Sequence, residues 1–349
     1  MDKDFECTCI GLAGPRGANK HLKGPKSGTL NMPAITVDHL TKYYDELLAV
    51  DGISFEVDNG EIFGFLGPNG AGKTSTIRML VGLARPSSGT ATVAGYSIAN
   101  DIVGVKRHVG LVPEVSNLYD ELSVWDNLRF MSQLYGVPRH KRDSRIDEVL
   151  QSFDLISRKT TKFGKLSKGL KRRVVIAASL IHEPEVLFLD EPTVGLDVVS
   201  AHTLRGYVEG LGADNTTVFL TTHYIEEADG ICDRIAILVR GRIVVVDTPQ
   251  EIKNRVRVHP IIRAELSRMP NKSVLDKLGS LGQLECEGRV IRLRVEEVSE
   301  SLGELMSILS KEGVSVQALE TGKPTLEDAF VELTGLLPDM IRAEKGGPR

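Results

Sequence analysis

The chain has 349 residues, which allows two domains or one large domain with an appendage. Hydrophobic residues make up 41% of it and charged residues 26%, which excludes fibrous structure and extended disorder for most of the chain. The formal net charge of -4 excludes the strongly basic surface of a protein that binds mainly nucleic-acid phosphates, so we expect no nucleic-acid partner.

Two further features indicate the compartment. No apolar run approaches the roughly 20 residues that cross a bilayer, and no secretory signal opens the chain. The four cysteines are too far apart for a disulfide framework or a four-ligand zinc site, as expected in a reducing cytosol. We therefore predict a cytoplasmic protein.

Composition and periodicity divide the chain into four segments. Residues 1–33 are rich in Gly, Lys and Pro and are predicted to be disordered; either Met32 is the true start of the protein or the segment is a regulatory tail. Residues 34–250 alternate strand and helix patterns and are predicted to form an α/β domain. Residues 251–335 are predicted to form a smaller α+β domain, followed by a tail at 336–349.

Hydrophobic periodicity predicts the elements of the first domain in chain order. Strands are expected at 35–40, 53–57 and 61–66, a helix at 74–83, and further strands at 186–189, 217–221 and 235–239. A turn at Arg240 and Gly241 is expected to join the last strand to residues 242–246 as a hairpin. Strands that alternate with helices in this way predict a mixed sheet covered by helices.

A helical subdomain is predicted within this domain, at about residues 115–180. Between Ser123 and Phe153 the pattern is mainly helical, and an apolar series at three-residue steps predicts one packed face. The series is Trp125, Leu128, Met131 and Leu134.

The smaller domain reads as strand, helix, strand, strand, helix, strand, which is the order of the split β-α-β or ferredoxin-like motif. The expected elements are 256–266, 272–278, 283–287, 289–295, 300–312 and 314–319. A last helix at 325–333 is expected to close the chain.

A glycine-rich motif follows the third predicted strand. It consists of Gly67, Pro68, Asn69, Gly70, Ala71, Gly72, Lys73 and Thr74, and it fits G-x-x-x-x-G-K-[ST] between a strand and a helix. Its glycines allow backbone N–H groups to surround an anion, and the start of the following helix adds partial positive charge. Lys73 is expected to contact the β- and γ-phosphates and Thr74 to bind Mg²⁺. With Ser75, which follows it, this loop is predicted to bind a nucleoside triphosphate.

Two carboxylates follow the buried strand predicted at 186–189. Asp190 is expected to hold Mg²⁺, directly or through water. Glu191, one residue beyond the strand, is expected to orient and deprotonate the attacking water. The alternative is a strand that ends in two solvated charges.

With these residues in place, the sequence resembles the nucleotide-binding subunits of ATP-binding cassette (ABC) transporters over about residues 35–248. The resemblance rests further on a segment similar to the family signature, a segment similar to the D-loop, and two aromatic side chains. These are Leu166-Ser167-Lys168-Gly169-Leu170, Gly195-Leu196-Asp197, His223 and Tyr44. It implies that Tyr44 stacks on adenine, that His223 contacts the γ-phosphate, and that residues 34–250 are an ABC ATPase domain.

The signature also has a physical interpretation of its own. Ser167 is a natural N-cap and Gly169 leaves the backbone open at the start of a helix, which predicts a second anion-binding helix terminus. Basic residues nearby either strengthen the positive field there or form a solvated first turn. These residues are Lys168, Lys171, Arg172 and Arg173.

The resemblance implies ATP and Mg²⁺ as cofactors and assigns the site residues. Lys73, Glu191 and His223 are the implied catalytic residues, and Ser167, Gly169 and Asp197 are implied nucleotide contacts. The family forms a head-to-tail dimer in which the P-loop of one subunit and the signature of the other enclose each ATP. A homodimer and a separate integral membrane permease are therefore the expected partners, with the chain at the inner face of the membrane.

Two departures from the family pattern bear on function. Glu114 stands where the family commonly has Gln; its carboxylate is able to bind Mg²⁺ but adds negative charge beside ATP. The signature has Lys168 for Gly and Leu170 for Gln, which resembles daunorubicin-resistance-type subunits, commonly export ATPases. Residues 324–330 also resemble the C-terminal end of that subgroup, so we expect export rather than import.

Two rival functions come from other classes. A soluble ATPase acting on ribosomes or DNA usually carries two cassettes or a long inserted coiled coil, whereas here the P-loop and the signature occur once and lie close in sequence. A pure ATP-sensing switch is the third hypothesis, and the presence of Glu191 and His223 favours turnover instead.

Overall fold

The computed structural model describes residues 32–213, 216–255, 260–322 and 325–336. The predictions of a disordered segment at 1–33 and a tail at 336–349 fall almost wholly outside these residues. The same holds for the first part of the strand predicted at 256–266. Among the helices of the described ranges, none combines the length and apolar character needed to span a bilayer.

The first part of the described chain alternates strands and helices. In order, its elements are β1 (Ile35–Tyr44), β2 (Leu47–Val57), β3 (Ile62–Leu66), α1 (Lys73–Leu80), β4 (Ser88–Val93), β5 (Tyr96–Ser97), α2 (Ile102–His108), β6 (Val109–Val112), α3 (Val124–Leu134), α4 (Arg139–Ser152), α5 (Lys168–Ser179), β7 (Val186–Asp190), α6 (Val198–Ala213), β8 (Thr217–Thr222), α7 (Ile225–Ile231), β9 (Arg234–Val239), β10 (Arg242–Asp247) and α8 (Pro249–Arg255).

The central sheet has six strands in the order β10-β9-β3-β8-β7-β6. Its strands run parallel except for β10, which pairs antiparallel with β9 as the predicted hairpin. Every residue of β3, β7 and β8 is buried, as expected for central strands of a parallel sheet that is covered on both faces. Because these three strands are parallel neighbours, the loops after Leu66, Asp190 and Thr222 emerge at one edge of the sheet. That edge holds the site.

A second, antiparallel sheet has the order β2-β1-β4-β5. The sequence predicts shorter strands here, with the second starting at residue 53. In the structure β2 begins at Leu47, because β1 and β2 form one long hairpin in which Tyr44 pairs with Leu47. Cross-strand pairing extends the strand into a stretch of weak local pattern. The hairpin brings Tyr44 to the site.

Aromatic rings join the two sheets. Phe55 of the antiparallel sheet stacks on Phe63 of the central sheet, with centroids 5.5 Å apart. Phe63 stacks in turn on Phe219 at 5.8 Å, and Phe188 lies 5.5 Å from Phe219. This fully buried cluster provides a rigid base for the strand ends above it.

The predicted packed face of α3 is only partly correct. Leu128 and Met131 are buried, but Leu134 is 67% exposed. Three residues of an α-helix turn through about 300°, so each step of the predicted series falls about 60° short of a full turn. The series therefore moves off the packed face, and Leu134 emerges into solvent.

The second part of the described chain forms its own four-stranded sheet. Its elements are β11 (Ile261–Leu266), α9 (Lys272–Gly279), β12 (Gln283–Glu287), β13 (Val290–Arg294), α10 (Val298–Lys311), β14 (Val316–Gly322) and α11 (Leu326–Thr334). The sheet is antiparallel, with the order β12-β13-β11-β14, and it encloses a separate apolar core with α9 and α10. The element order is that of the predicted split β-α-β motif.

The last helix, α11, packs away from this sheet. A capping box between Thr325 and Asp328 starts the helix. Phe330 is fully buried and belongs to the same apolar cluster as Ile225 of α7 and Ile252 of α8. Side-chain packing thus connects α11 to α7, the helix that follows His223. The domain boundaries drawn from the sequence stay predictions.

Candidate functional site

The glycine-rich loop lies so close to neighbouring strands that two of its glycines have no room for a Cβ. Gly72 has φ 105° and is the N-cap of α1; a Cβ there would clash with the carbonyl oxygen of Ala49. A Cβ on Gly67 would clash with the carbonyl oxygen of Leu238. The loop therefore lies close against β2 and β9, and helix α1 begins at Lys73 with its backbone N–H groups toward the pocket.

Lys73 lies at the centre of the loop and is only 5% exposed. Its ammonium donates to the carbonyl oxygens of Gly67 at 2.7 Å and Pro68 at 3.1 Å. The same Nζ lies 3.1 Å from Oε1 of Glu191. A cation is thus fixed where the loop surrounds an anion.

Asp190 is the last residue of strand β7 and accepts hydrogen bonds from two hydroxyl groups. Its Oδ1 accepts a hydrogen bond from Thr221 Oγ1 at 2.7 Å and from Thr74 Oγ1 at 3.1 Å. Within the described ranges no three His, Cys, Asp or Glu side chains converge as a metal site. Carboxylate and hydroxyl oxygens in this number suit Mg²⁺, which is usually bound by one or two carboxylates together with substrate phosphates and water.

Glu191 occupies a strained turn just beyond β7. Its φ is 47°, a left-handed conformation that costs energy for a residue with a Cβ. Its side chain is 8% exposed, and Oε2 lies 2.8 Å from Nδ1 of His223. Burial alone would raise the pKa of Glu191, but the hydrogen bond with His223 and the charge of Lys73 outweigh it and lower the pKa. The carboxylate is therefore ionised at neutral pH.

These groups line one pocket with most of the predicted nucleotide contacts. Its lining residues are Tyr44, Leu47, Ala49, Asn69, Gly70, Ala71, Gly72, Lys73, Thr74, Ser75, Glu114, Glu191, Val194 and His223. Sequence reasoning missed Leu47 and Ala49, which lie on the part of β2 that was not predicted, and Val194, which carries no chemical signal. Gly67, Pro68 and Asp190 contact Lys73 or Thr74 at the base of the pocket.

The signature residues form a separate cluster. Ser167 is the N-cap of α5 and accepts from the Leu170 N–H at 3.3 Å. Gly169 lies against Ser200, whose N–H and hydroxyl donate to Asp197 at 2.9 and 2.8 Å. These hydrogen bonds lower the pKa of Asp197. None of Ser167, Gly169 and Asp197 lines the P-loop pocket of the described chain.

The expectation for the basic residues beside the signature is wrong for Arg172. It is only 8% exposed, and its guanidinium turns inward to carbonyl oxygens at the end of β7 rather than outward to solvent or an anion. Desolvation lowers its pKa to about 10, so it stays charged at neutral pH. Lys171 pairs with Asp120 at 3.0 Å, and Lys168 is exposed.

Glu227 was not predicted, although it lies four residues after His223 on the inner face of α7. Its Oε2 accepts from the hydroxyls of Thr222 at 2.6 Å and Thr193 at 3.1 Å. Burial raises the pKa of Glu227 despite these bonds. The side chain joins the residue before His223 to the loop that follows Glu191, and an acidic residue in a short helix gives no sequence signal for such a role.

The site as a whole defines a class of protein. A phosphate-binding loop after one parallel strand, carboxylates after the second and a histidine after the third are the parts of a P-loop nucleoside triphosphatase. The family described as ABC transporter matches residues 50–194, and the family described as ATP-binding protein DrrA1-3-like, C-terminal domain, matches residues 248–334.

Two curated proteins resemble the chain over nearly their whole length. The linearmycin resistance ATP-binding protein LnrL of Bacillus subtilis (strain 168) is 35% identical over 309 residues, covering 86% of this chain and 98% of that protein. The daunorubicin resistance ATP-binding protein DrrA3 of Streptomyces coeruleorubidus is 36% identical over 307 residues, covering 86% and 96%. The chain belongs to the ATP-binding proteins of ABC transporters, a family of ATPases. The predicted family, fold class and ATP-binding function are confirmed.

Solved structures agree. The structure titled as the ATP binding subunit of an ABC transporter has a TM-score of 0.58 and 31% identity, covering 64% of this chain and 92% of that one. CbiO1 from Clostridium perfringens, described as part of the ABC transporter complex cbiONQ, has a TM-score of 0.59 and 28% identity, covering 63% and 90%.

Proposed function

We propose that the chain hydrolyses Mg-ATP to power export of a small molecule through a separate membrane permease. The observation that supports hydrolysis is the contact of Glu191 with both Lys73 and His223 beside the Asp190 and Thr74 oxygens. Relatives named for drug resistance and for Nod factor export support the direction of transport.

Different residues of the pocket are expected to bind the adenine, the phosphates and the Mg²⁺ of Mg-ATP. Tyr44 is 37% exposed at the pocket mouth and offers a ring face for adenine. The N–H groups of residues 70–75 and the Lys73 ammonium bind the phosphates. Thr74, Asp190 and Glu114 would hold Mg²⁺, which would neutralise charge on the phosphate oxygens when bound.

The catalytic step belongs to Glu191 and His223. The Glu191 carboxylate, which is ionised in the nucleotide-free chain because its pKa is lowered, accepts the proton of the attacking water. His223 orients this carboxylate through the contact of its Nδ1 with Glu191 Oε2. Its ring is expected to contact the γ-phosphate when ATP is bound. Lys73 exchanges its carboxylate and carbonyl partners for phosphate oxygens, which releases Glu191 to bind water.

A second copy of the chain completes the site. Gly169 and Asp197 contact Ser200, and Ser167 caps the helix that carries Gly169; none of the three residues lines the P-loop pocket. In a head-to-tail homodimer this cluster of one subunit covers the ATP of the other, and the helix terminus at Ser167 meets the phosphates. ATP binding then closes the dimer and hydrolysis opens it.

The permease is expected to dock in an apolar groove between α2 and the end of α3. Leu83, Val103 and Leu134 line it and are each more than half exposed. Lys106 and Arg107 line the same groove, so a short permease helix with an apolar face and an acidic flank suits it. Docking there would cover the exposed Leu134 and would hold the chain at the cytoplasmic face of the membrane.

Phosphate release from Mg-ATP by the purified chain tests the hydrolysis. Lys73→Ala is expected to lower turnover at least about 100-fold, because a donor to the developing charge is lost. Lys272→Ala, which changes an exposed lysine at the start of α9, is the matched control and should leave turnover unchanged. Hydrolysis that survives Lys73→Ala would place the activity in another site or in a contaminant.

Export needs a cellular assay. The chain is expressed with the membrane protein encoded beside its gene, and efflux of drugs that DrrA-type relatives are named for is measured. Efflux should require both proteins and be lost in Lys73→Ala. Efflux that is unaffected, or a chain that purifies with ribosomes instead of that membrane protein, would favour the soluble ATPase hypothesis.

A further inference from the structure

The guanidinium of Arg172 contacts two loops of the site at once. Its hydrogen bonds within the described chain all go to main-chain carbonyl oxygens. They reach Pro113 at 2.5 Å and Glu114 at 3.4 Å in the loop after β6, and Asp190 at 2.8 Å and Pro192 at 2.9 Å at the end of β7. One planar side chain therefore links the loop of Glu114 to the turn of Glu191.

Burying this cation needs an explanation. Desolvation disfavours the charged form; the charges of Asp190, Glu114, Glu227 and Glu191 favour it but offset the cost only in part, and none of these carboxylates is a hydrogen-bond partner of Arg172. An apolar side chain of similar volume would fill the space without that cost. What an apolar residue cannot supply is a rigid fork of N–H donors that spans carbonyls on separate segments. The hydrogen bonds to main-chain carbonyl oxygens are therefore what Arg172 supplies at this position and an apolar residue would not.

The contacts fall on both sides of the strained turn. Asp190 and Pro192 flank Glu191, whose φ of 47° persists only where the surroundings hold it. The other loop that Arg172 contacts, after β6, carries Glu114, whose side chain lines the same pocket as Glu191. Fixing these backbones sets the separation of the two carboxylates across the pocket.

The position of Arg172 in α5 adds a connection. Ser167 caps the same helix, so the signature and the fork of Arg172 belong to one rigid element. A movement of this helix terminus would be passed to the loops that carry Glu114 and Glu191. The two half-sites of a chain are mechanically joined at this residue.

We propose that Arg172 is a positioning residue that holds Glu191 and Glu114 at the separation needed for Mg²⁺ binding and hydrolysis, and links them to the signature helix. The inference rests on the proposed function of the pocket. Arg172 does not line the pocket, so it acts through the backbone of its neighbours.

Arg172→Lys keeps the charge but cannot span four carbonyls. Turnover at saturating ATP is expected to fall about ten- to a hundredfold, the cost of a small displacement of a catalytic group. The Mg²⁺ concentration for half-maximal turnover should rise several-fold. Binding of a fluorescent ATP analogue without Mg²⁺ should stay within about twofold, since the P-loop is untouched.

The matched control is Arg145→Lys. Arg145 of α4 also binds main-chain carbonyls, those of Leu180 at 3.0 Å and Ile181 at 3.4 Å, but it lies outside the pocket and its loops. This variant should lose some thermal stability and keep its turnover and Mg²⁺ response. Both variants are assayed well below their melting temperatures, so that differences in folded fraction do not enter.

A measurement on the nucleotide-free chain separates this inference from the proposed function. Hydrogen exchange of amides in residues 114–116 and 193–194 should accelerate in Arg172→Lys and not in Arg145→Lys. If the parent hydrolyses ATP and Arg172→Lys matches it in turnover, Mg²⁺ response and exchange, the positioning role is wrong and the proposed function stands. If the parent has no ATPase activity, the proposed function fails, and accelerated exchange alone still supports the link between the loops.

Discussion

The carboxylate of Glu191 and the imidazole of His223 form one buried unit: Oε2 lies 2.8 Å from Nδ1, and each side chain is 8% exposed. The two residues follow different strands, β7 and β8, which are parallel neighbours in the central sheet. Lys73 from the loop after a third strand contacts the other carboxylate oxygen. Three strand ends therefore hold a carboxylate, an imidazole and an ammonium group in one connected unit.

Glu191→Gln is expected to abolish turnover while ATP binding is kept. The amide has the size of the carboxylate and still accepts a hydrogen bond, but it cannot take a proton from water. Phosphate release should fall at least about 100-fold, and gel filtration with Mg-ATP should show a dimer that the parent shows only transiently. Glu209→Gln, on the exposed side of α6, is the control. A Glu191→Gln chain that hydrolyses ATP near the parent rate would mean that another group is the base.

Glu227→Gln is expected to change how stability depends on pH. Burial raises the pKa of Glu227, so the folded chain binds this proton more tightly than the unfolded chain does. As pH rises above the ordinary glutamate value, the unfolded state loses the proton first, and the free energy of unfolding falls until the raised pKa is passed. The amide has no proton to lose.

Urea unfolding of parent and variant between pH 4 and pH 8 measures this effect. The stability of Glu227→Gln relative to the parent should increase as the pH rises, and the increase should level off once the raised pKa is passed. Glu209→Gln should show no such trend, because its carboxylate is exposed in the folded chain. A difference between variant and parent that is the same at every pH would mean that Glu227 is ionised alike in both states.

Much of the pocket was predictable because its residues follow strands directly. The glycine-rich loop, Asp190 and Glu191 are each fixed by a local pattern, a buried strand followed by a motif, and the parallel order of β3, β8 and β7 then brings the loops together. His223 needed the family resemblance, since one histidine after a strand has no signal of its own. Local sequence thus defines the strand ends, and the parallel order of the strands brings their loops together.

The residues that sequence reasoning missed are those defined by packing. The sequence pattern makes Arg172 part of a basic helix start. Arg172, however, lies three residues after the buried Gly169, close to one helical turn, so it is on the buried face of α5. Leu134 was predicted to lie on the packed face of α3, but steps of three residues rotate its position away from that face. Which charged residue is buried, and which apolar one is exposed, depends on neighbours that are distant in sequence.

Phe330→Ala tests whether α11 contributes to the apolar core that contains α7 and α8. Phe330 is fully buried in the cluster that includes α7 and α8, so its truncation should lower the free energy of unfolding by about 3 to 5 kcal/mol. Met306→Ala, at a 46% exposed position of α10, should change it by less than about 0.5 kcal/mol. Denaturant unfolding measures both. Equal effects would show that α11 contributes nothing to this core.

The last prediction concerns the two clusters that one chain keeps apart, and it assumes a homodimer. Lys73→Ala disables the P-loop and leaves the signature sound, whereas Ser167→Arg does the reverse, because Arg is too bulky for the helix start that meets phosphate. Each variant alone should be inactive. In a mixed head-to-tail dimer both changes meet in one site, and the other site receives an intact Lys73 and an intact Ser167 from opposite subunits.

Exchanging the two inactive proteins should therefore restore ATPase activity, at most to about a quarter of the parent rate, because half of randomly paired dimers are mixed and each has one sound site. If Lys73 and Ser167 served the same site within one chain, no mixture would recover. Absence of recovery, with mixed dimers shown to form, leaves that arrangement or an obligatory coupling of both sites. A covalently linked dimer with Lys73→Ala in one half distinguishes them, since only obligatory coupling makes this dimer inactive as well.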